Sequence, residues 1–139
     1  MIIRIQCLLC AWRPNGGSLS PTEFTELLGF TSKVPMVGSG LPWQSARAVL
    51  CDLSYSAFRV SPEPSEAFEA ALQQEFSAAS KLLADIPEHI SSSIAGHGIA
   101  MDVLLDLAID QGQLDLNLPT LFLAQVARLQ LRLRVLTND

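Results

Sequence analysis

The residues able to do chemistry in this chain are few: three cysteines, two histidines and a spaced set of aspartates. Cys7 and Cys10 have the spacing of half a zinc site. The segment around them reads as a strand, however, and strand residues three apart point to opposite faces, so the two thiolates cannot converge on one ion. No second Cys pair and no suitably spaced His pair exists to complete a tetrahedral set. His89 and His97 lie in or after the polar Ser91-Ser92-Ser93 segment and read as solvent-facing; no spacing ties either to a cysteine or serine as a nucleophile and base. Asp102, Asp106 and Asp110 recur every fourth residue of a predicted strand. Four residues of strand span about 13 Å, against about 5 Å between oxygens around one cation, so adjacent members share no metal. The same span exceeds the roughly 9.5 Å that a carboxylate pair acting on a glycosidic bond allows. The three aspartates therefore read as a solvated face balanced across strands by Arg4, Arg132 or Arg134, with a charged interaction surface as the alternative.

Gly38-Ser39-Gly40 lacks the Lys-Ser/Thr of a phosphate loop and reads as a turn. No catalytic, cofactor-binding or metal-ligating residue is assigned on these grounds, and no cofactor is expected. One residue is singled out for binding. Trp43 stands in a loop over 31–45, where an aromatic side chain can anchor a partner or a ligand; folding back onto the core is its alternative.

The elements that position these residues are legible from periodicity. Ile2 to Ala11 reads as a strand with Ile3, Ile5, Cys7, Leu9 and Ala11 on one face. Ser20, Pro21 and Glu23 form a helix start, with Leu19 and Phe24 at the positions of a hydrophobic staple and Gly29 placed to end the helix. A second strand is expected over 47–58, with Val49, Cys51, Leu53 and Tyr55 on one face and Leu50 and Asp52 on the other. The longest helix follows, carrying Phe68, Leu72, Phe76, Ala79 and Leu83 on one apolar face. Asp85 and Glu88 suggest a capping box for a short continuation in which Ile86, Ile90 and Ile94 share a face and Gly96 is the stop. Met101, Val103, Leu105, Leu107 and Ile109 alternate along the clearest strand. Asn117 and Pro119 open a last helix, and Leu131, Leu133 and Val135 alternate with Arg132 and Arg134 in a last strand.

The chain of 139 residues suits one domain over 1–139 with a real core. An apolar fraction of 49 %, a mean hydropathy of +0.31 and only 17 % charged residues imply a well-filled core and apolar surface kept for a partner, from which a homodimer is expected. No apolar run approaches the roughly 20 residues of a membrane helix, and the N-terminal apolar stretch, interrupted by Arg4 and Gln6, reads as a strand and not a signal peptide. Three cysteines imply no disulfide scaffold, so the cytoplasm is the expected compartment. A net charge of −5 argues against nucleic acid or an anionic membrane and is compatible with a basic protein partner. Arg128, Arg132 and Arg134 form the one basic concentration, without interleaved aromatics.

Two stretches follow one plan: 15–29 and 111–129 each leave a strand through glycine, reach a Pro-Thr and open a short helix that feeds the next strand. Leu19-Ser-Pro-Thr-Glu23 leading to Leu28-Gly-Phe30, a glycine in the following loop, and Gln113-Leu-Asp-Leu-Asn-Leu-Pro119 before a Leu-rich helix resemble the bacterial family catalogued as domain of unknown function 4279. Two positions depart from its pattern: Val49-Leu-Cys51 stands where the family tends to carry a Trp, and Arg134-Val-Leu136 where it often has an Asp-x-Tyr-like ending. The resemblance implies a small cytosolic domain without an assigned activity.

The fold expected from the elements is α+β: a four-stranded antiparallel or mixed sheet with helices on one face, in a ferredoxin-like plan of two strand-helix-strand halves with an extra long central helix. The function expected is that of a small non-catalytic interaction domain, protein-binding, of the immunity-like or accessory kind. The alternative is a small-molecule binding or sensing domain using a pocket between the sheet and the 31–45 loop.

Overall fold

The computed structural model describes residues 2–28, 36–39, 45–56, 66–110 and 114–138. Their order is β1 (Ile2–Trp12), α1 (Pro21–Leu28), β2 (Met36–Ser39), β3 (Ser45–Ser56), α2 (Glu66–Ala84), α3 (Ile90–Ala95), β4 (Ala100–Ile109), α4 (Thr120–Arg128) and β5 (Arg132–Asn138). The fold is α+β. Its one sheet runs β2-β3-β1-β4-β5, with β1 antiparallel to both neighbours and β4 parallel to β5. The four long strands make the expected mixed sheet. The short edge strand β2 lies inside the stretch read as a loop, because four residues next to Gly40 are too few to display an alternation.

The ferredoxin-like detail is not confirmed. That plan needs a parallel return in both halves, and only β4–α4–β5 has one; β3 lies directly beside β1 and antiparallel to it. The two similar stretches thus feed different topologies.

Each of the four described helices contributes buried apolar residues to one side of the sheet. Phe24 of α1, Phe68, Leu72, Phe76, Ala79 and Leu83 of α2, Ile90 and Ile94 of α3, and Phe122 and Val126 of α4 meet Ile3, Ile5, Cys7, Leu9 and Ala11 of β1 in one cluster. The α1 start is built as its sequence dictates: the Glu23 N–H donates to Ser20 Oγ at 3.2 Å, and Leu19 and Phe24 are both fully buried. Gly29 lies outside the described residues.

Three local expectations are corrected. A β-bulge between β1 and β3 pairs Cys7 with Cys51 but Leu8 with Val49, leaving Leu50 as the extra residue. The slip turns Leu50 into the helix-covered core and Val49 to the opposite face. Helix α3 begins after His89 with no side-chain cap, so Asp85 and Glu88 do not start it; it ends at Ala95 with Gly96 as the C-cap residue, as expected. The left-handed residue that ends this segment is Gly98, where Ile99 N–H reaches Ile94 O and Gly98 N–H reaches Ala95 O. Helix α4 starts at Pro119 without a side-chain cap from Asn117, and closes with the same pair of hydrogen bonds around Gln130, a non-glycine at φ 56°.

Candidate functional site

The helix-free face of the sheet carries the candidate site. Strand register places Arg47 of β3, Cys10 of β1, Asp102 of β4 and Arg132 of β5 in one row across four strands. The neighbouring row holds Val49, Leu8, Leu104 and Arg134. On the other side of the Arg47 row, Ser45 pairs with Trp12. Leu8, Cys10 and Leu104 form a small buried cluster of their own, to which no described helix contributes.

Asp102 is the buried charge of this face, with its side chain 1 % exposed. A carboxylate so far from water is tolerable only when paired and hydrogen-bonded. Arg134 supplies that pairing as a fork: its Nε donates to Oδ2 and its Nη2 to Oδ1 at 3.2 Å. Arg132 adds a longer contact to Oδ2 at 3.4 Å from a largely solvated position. The hydrogen bond to Asp102 pushes the Arg134 pKa upward, so the fork stays charged. Arg134 also lies over the Trp12 ring, with Cζ 5.8 Å from the centroid, which holds the plane of its guanidinium.

Cys10, Trp12, Ser45, Arg47, Arg132 and Arg134 line a cavity of about 180 Å³. Among the described residues three guanidiniums against one carboxylate leave an excess of two positive charges there, in a chain of net charge −5. Arg47 Nε is buried and has no acceptor among the described residues. Burial pushes the Cys10 thiol pKa up, against the pull of Arg47 and Arg134, so the thiol is neutral and brings no negative charge to the cavity.

A second cavity, of about 300 Å³, lies among Arg13, Glu23, Glu26 and His97. Its guanidinium is already spent: Arg13 donates to Ser18 O, His97 O and Glu23 Oε2, each at 2.9 Å, and so clips the β1–α1 connection to the approach of β4.

The residues singled out by sequence fall as follows. Trp43 lies outside the described residues, as does most of the 31–45 stretch. Cys7 and Cys10 occupy opposite faces, Cys7 in the helix-covered core against Cys51 and Cys10 in the arginine cavity. The hydrogen bond between Cys7 and Cys51, together with burial, pushes the Cys7 pKa well up. Among the described residues no cluster of three His, Cys, Asp or Glu side chains could hold a metal. Asp102, Asp106 and Asp110 share a face, but Asp102 is buried and not solvated, because the two arginines and the Leu8–Leu104 row close around it. Asp110 accepts the Ile2 N–H at 2.6 Å, and Arg4 pairs with Asp52 of β3. Arg128 departs from the basic group: it donates to Leu83 O and Ile86 O, both at 2.9 Å, and closes the end of α2. Sequence reasoning missed Arg47 and Trp12. The available signal was one acidic residue opposite an Arg-x-Arg strand; the row that adds Arg47 exists only through register.

No helix among the described residues is long and apolar enough to cross a membrane. No protein-family model matches the chain, no curated protein matches it, and no solved structure matches it. The resemblance to the domain of unknown function 4279 family rests on its short motifs alone.

Proposed function

We propose that the chain is a non-catalytic interaction domain that binds an extended, acidic and apolar segment of a partner protein along β5. The observation that carries this reading is the composition of that edge. Strand β5 pairs with β4 on one side and with no described strand on the other. Arg132 and Arg134 project on the helix-free face, in register with Asp102 and Leu104, while Val135 lies on the other face and is 57 % exposed; Leu136 is 47 % exposed. An unpaired edge offers backbone donors and acceptors to an added strand, and side chains alternating between the faces supply selectivity. A segment alternating acidic and apolar residues would set its carboxylates beside the arginines and its apolar residues beside Val135. The chain's acidic balance suggested a basic partner; the local charge of this edge favours an acidic one. The family resemblance implies a domain without an assigned activity, which is compatible with this reading.

The test is fluorescence polarisation with a labelled peptide alternating Glu and Val. Saturable binding is expected, weakened at least about tenfold by Arg132→Glu and by Val135→Asp. A peptide alternating Lys and Val is expected to bind Arg132→Glu better than the unaltered chain. Equal affinity of both peptides for both proteins would end the proposal and leave the arginines as guards against edge aggregation. A second copy is the competing occupant of the edge: it would appear as concentration-dependent mass in light scattering, with peptide affinity falling as protein concentration rises.

A further inference from the structure

We propose that the cavity between Arg47 and the Arg132–Arg134 pair is a binding site for a small, doubly charged oxyanion, a phosphate group or a compact dicarboxylate. The site shares Arg132 and Arg134 with the β5 edge and differs from it in Arg47, which belongs to β3.

Three features converge on it. The first is charge: among the described residues Asp102 is the one carboxylate beside three guanidiniums, and Cys10 is a neutral thiol, so two positive charges at the cavity have no described counterpart. Like charges held this close repel each other, and a dianion between them reverses the sign of that interaction. The second is hydrogen bonding. Arg47 lines the cavity, and its buried Nε has no acceptor among the described residues. An enclosed donor without an acceptor costs about 1–3 kcal/mol, and a charged oxygen is the acceptor that recovers most. Arg134 gives Nε and Nη2 to Asp102 and also hydrogen-bonds Cys10, and Arg132 reaches Asp102 through a single nitrogen. Ser45 lines the same space. Donors from β3 and β5 therefore flank one volume from opposite sides of the Cys10–Asp102 row. The third is size and order. A volume of about 180 Å³ is below the range of drug-sized sites, which restricts the ligand to an anionic head with little attached body. Asp102 fixes the Arg134 fork and Trp12 covers its face, so the donors need little rearrangement on binding. The buried aspartate acts here as a positioning residue for the guanidinium.

The decisive variant is Arg47→Met, which keeps the aliphatic bulk and removes the enclosed donor. It is expected to fold with a melting temperature equal to or above that of the unaltered chain, since an unsatisfied group is lost. Calorimetric titration with inorganic phosphate and with malonate at constant ionic strength should give binding to the unaltered chain, and affinity at least about tenfold lower for Arg47→Met. In ¹H–¹⁵N spectra the Arg47 Nε–H resonance should move on addition of phosphate, while that of Arg13, whose Nε–H donates to Ser18 O, stays in place. No binding of either anion at millimolar concentration, or undiminished binding to Arg47→Met, would overturn the proposal. The β5 peptide separates the two possible sources of the oxyanion. If a free solute is the source, Arg47→Met leaves peptide affinity unchanged; if an acidic side chain of the bound segment fills the cavity, peptide affinity falls with it. Failure of the peptide to bind, with phosphate binding intact, would sink the edge reading and leave this one standing.

Discussion

The two faces of the sheet remove side chains from water by different means. On the helix-covered face burial is apolar and layered: Phe76 and Phe122 meet edge to face with centroids 4.8 Å apart, and Tyr55 and Phe68 do so at 5.2 Å. On the other face a short apolar row of Leu8, Cys10 and Leu104 adjoins a buried carboxylate and its arginines. The first arrangement explains itself energetically, since each buried apolar side chain contributes about 1.5–3 kcal/mol. The second does not. A well-packed apolar replacement for a buried ion pair is often neutral or stabilising, so stability alone gives no reason to keep Asp102 and Arg134. A need for ordered positive charge at the surface does.

The comparison breaks first on the covered face. Phe122→Ala removes a fully buried ring and its partner contact with Phe76, and should cost about 3–5 kcal/mol in urea unfolding. A cost near that of a surface substitution would mean that the helices do not carry the core.

Next comes the charged row. Arg134→Ala strands Asp102 in a buried position with one long contact to Arg132, and should cost about 2–4 kcal/mol. The double variant Asp102→Leu with Arg134→Leu should recover most of that loss in the same unfolding measurement, yet bind phosphate poorly. If the double variant is as unstable as the single one, the pair is a structural device and the functional argument for it fails.

These contrasts also explain what could be read from residues alone. The α2 stripe and the α1 start were legible because their determinants are local: a spacing of three or four along one helix, and a hydroxyl three residues before a glutamate. The apolar face of β1 was legible because Ile3, Ile5, Cys7, Leu9 and Ala11 recur at every second residue. The β3 register was not, since one bulge residue at Leu50 inverts the pattern halfway. The direction of β5 beside β4 was hidden too, because alternation is the same in parallel and antiparallel pairs. The end of α4 offered no glycine to read, as Gln130 takes the left-handed position that Gly98 takes after α3. The candidate site depends on pairing at every step: residues 10, 47, 102 and 132 become neighbours only when four strands lie in one register.

The thiols offer a smaller contrast, read through pH. Cys7 on the covered face and Cys10 on the other both have pKa values raised in the folded chain. The unfolded chain therefore loses these protons first, near the ordinary thiol value of about 8.5, and stability falls as pH rises above it. Each thiol can remove up to about 1.4 kcal/mol per pH unit in that range. Because Arg47 and Arg134 oppose the shift at Cys10, Cys7→Ala should flatten the alkaline decline more than Cys10→Ala does, measured by urea midpoints from pH 8 to 10. Equal effects would mean that the arginines do not reach the Cys10 sulfur.

The smallest effect belongs to a second ion pair on the same helix-free face. Arg4 and Asp52 meet at 3.4 Å, as Arg132 and Asp102 do, but with side chains 56 % and 42 % exposed. Water screens their attraction and each loses side-chain freedom to make it, so such a pair contributes at most about 1 kcal/mol. Asp52 also accepts from Gln6 Nε2 at 3.2 Å, a bond that Asp52→Asn can keep. That substitution should therefore shift the unfolding free energy by less than about 0.5 kcal/mol, several-fold less than Arg134→Ala. Added salt should erase the difference between Asp52→Asn and the unaltered chain while leaving the cost of Arg134→Ala largely in place, since buried pairs are screened far less. If salt erased both, the two pairs would be equally solvated, and depth within the face would no longer distinguish the arginine cavity from an ordinary charged surface.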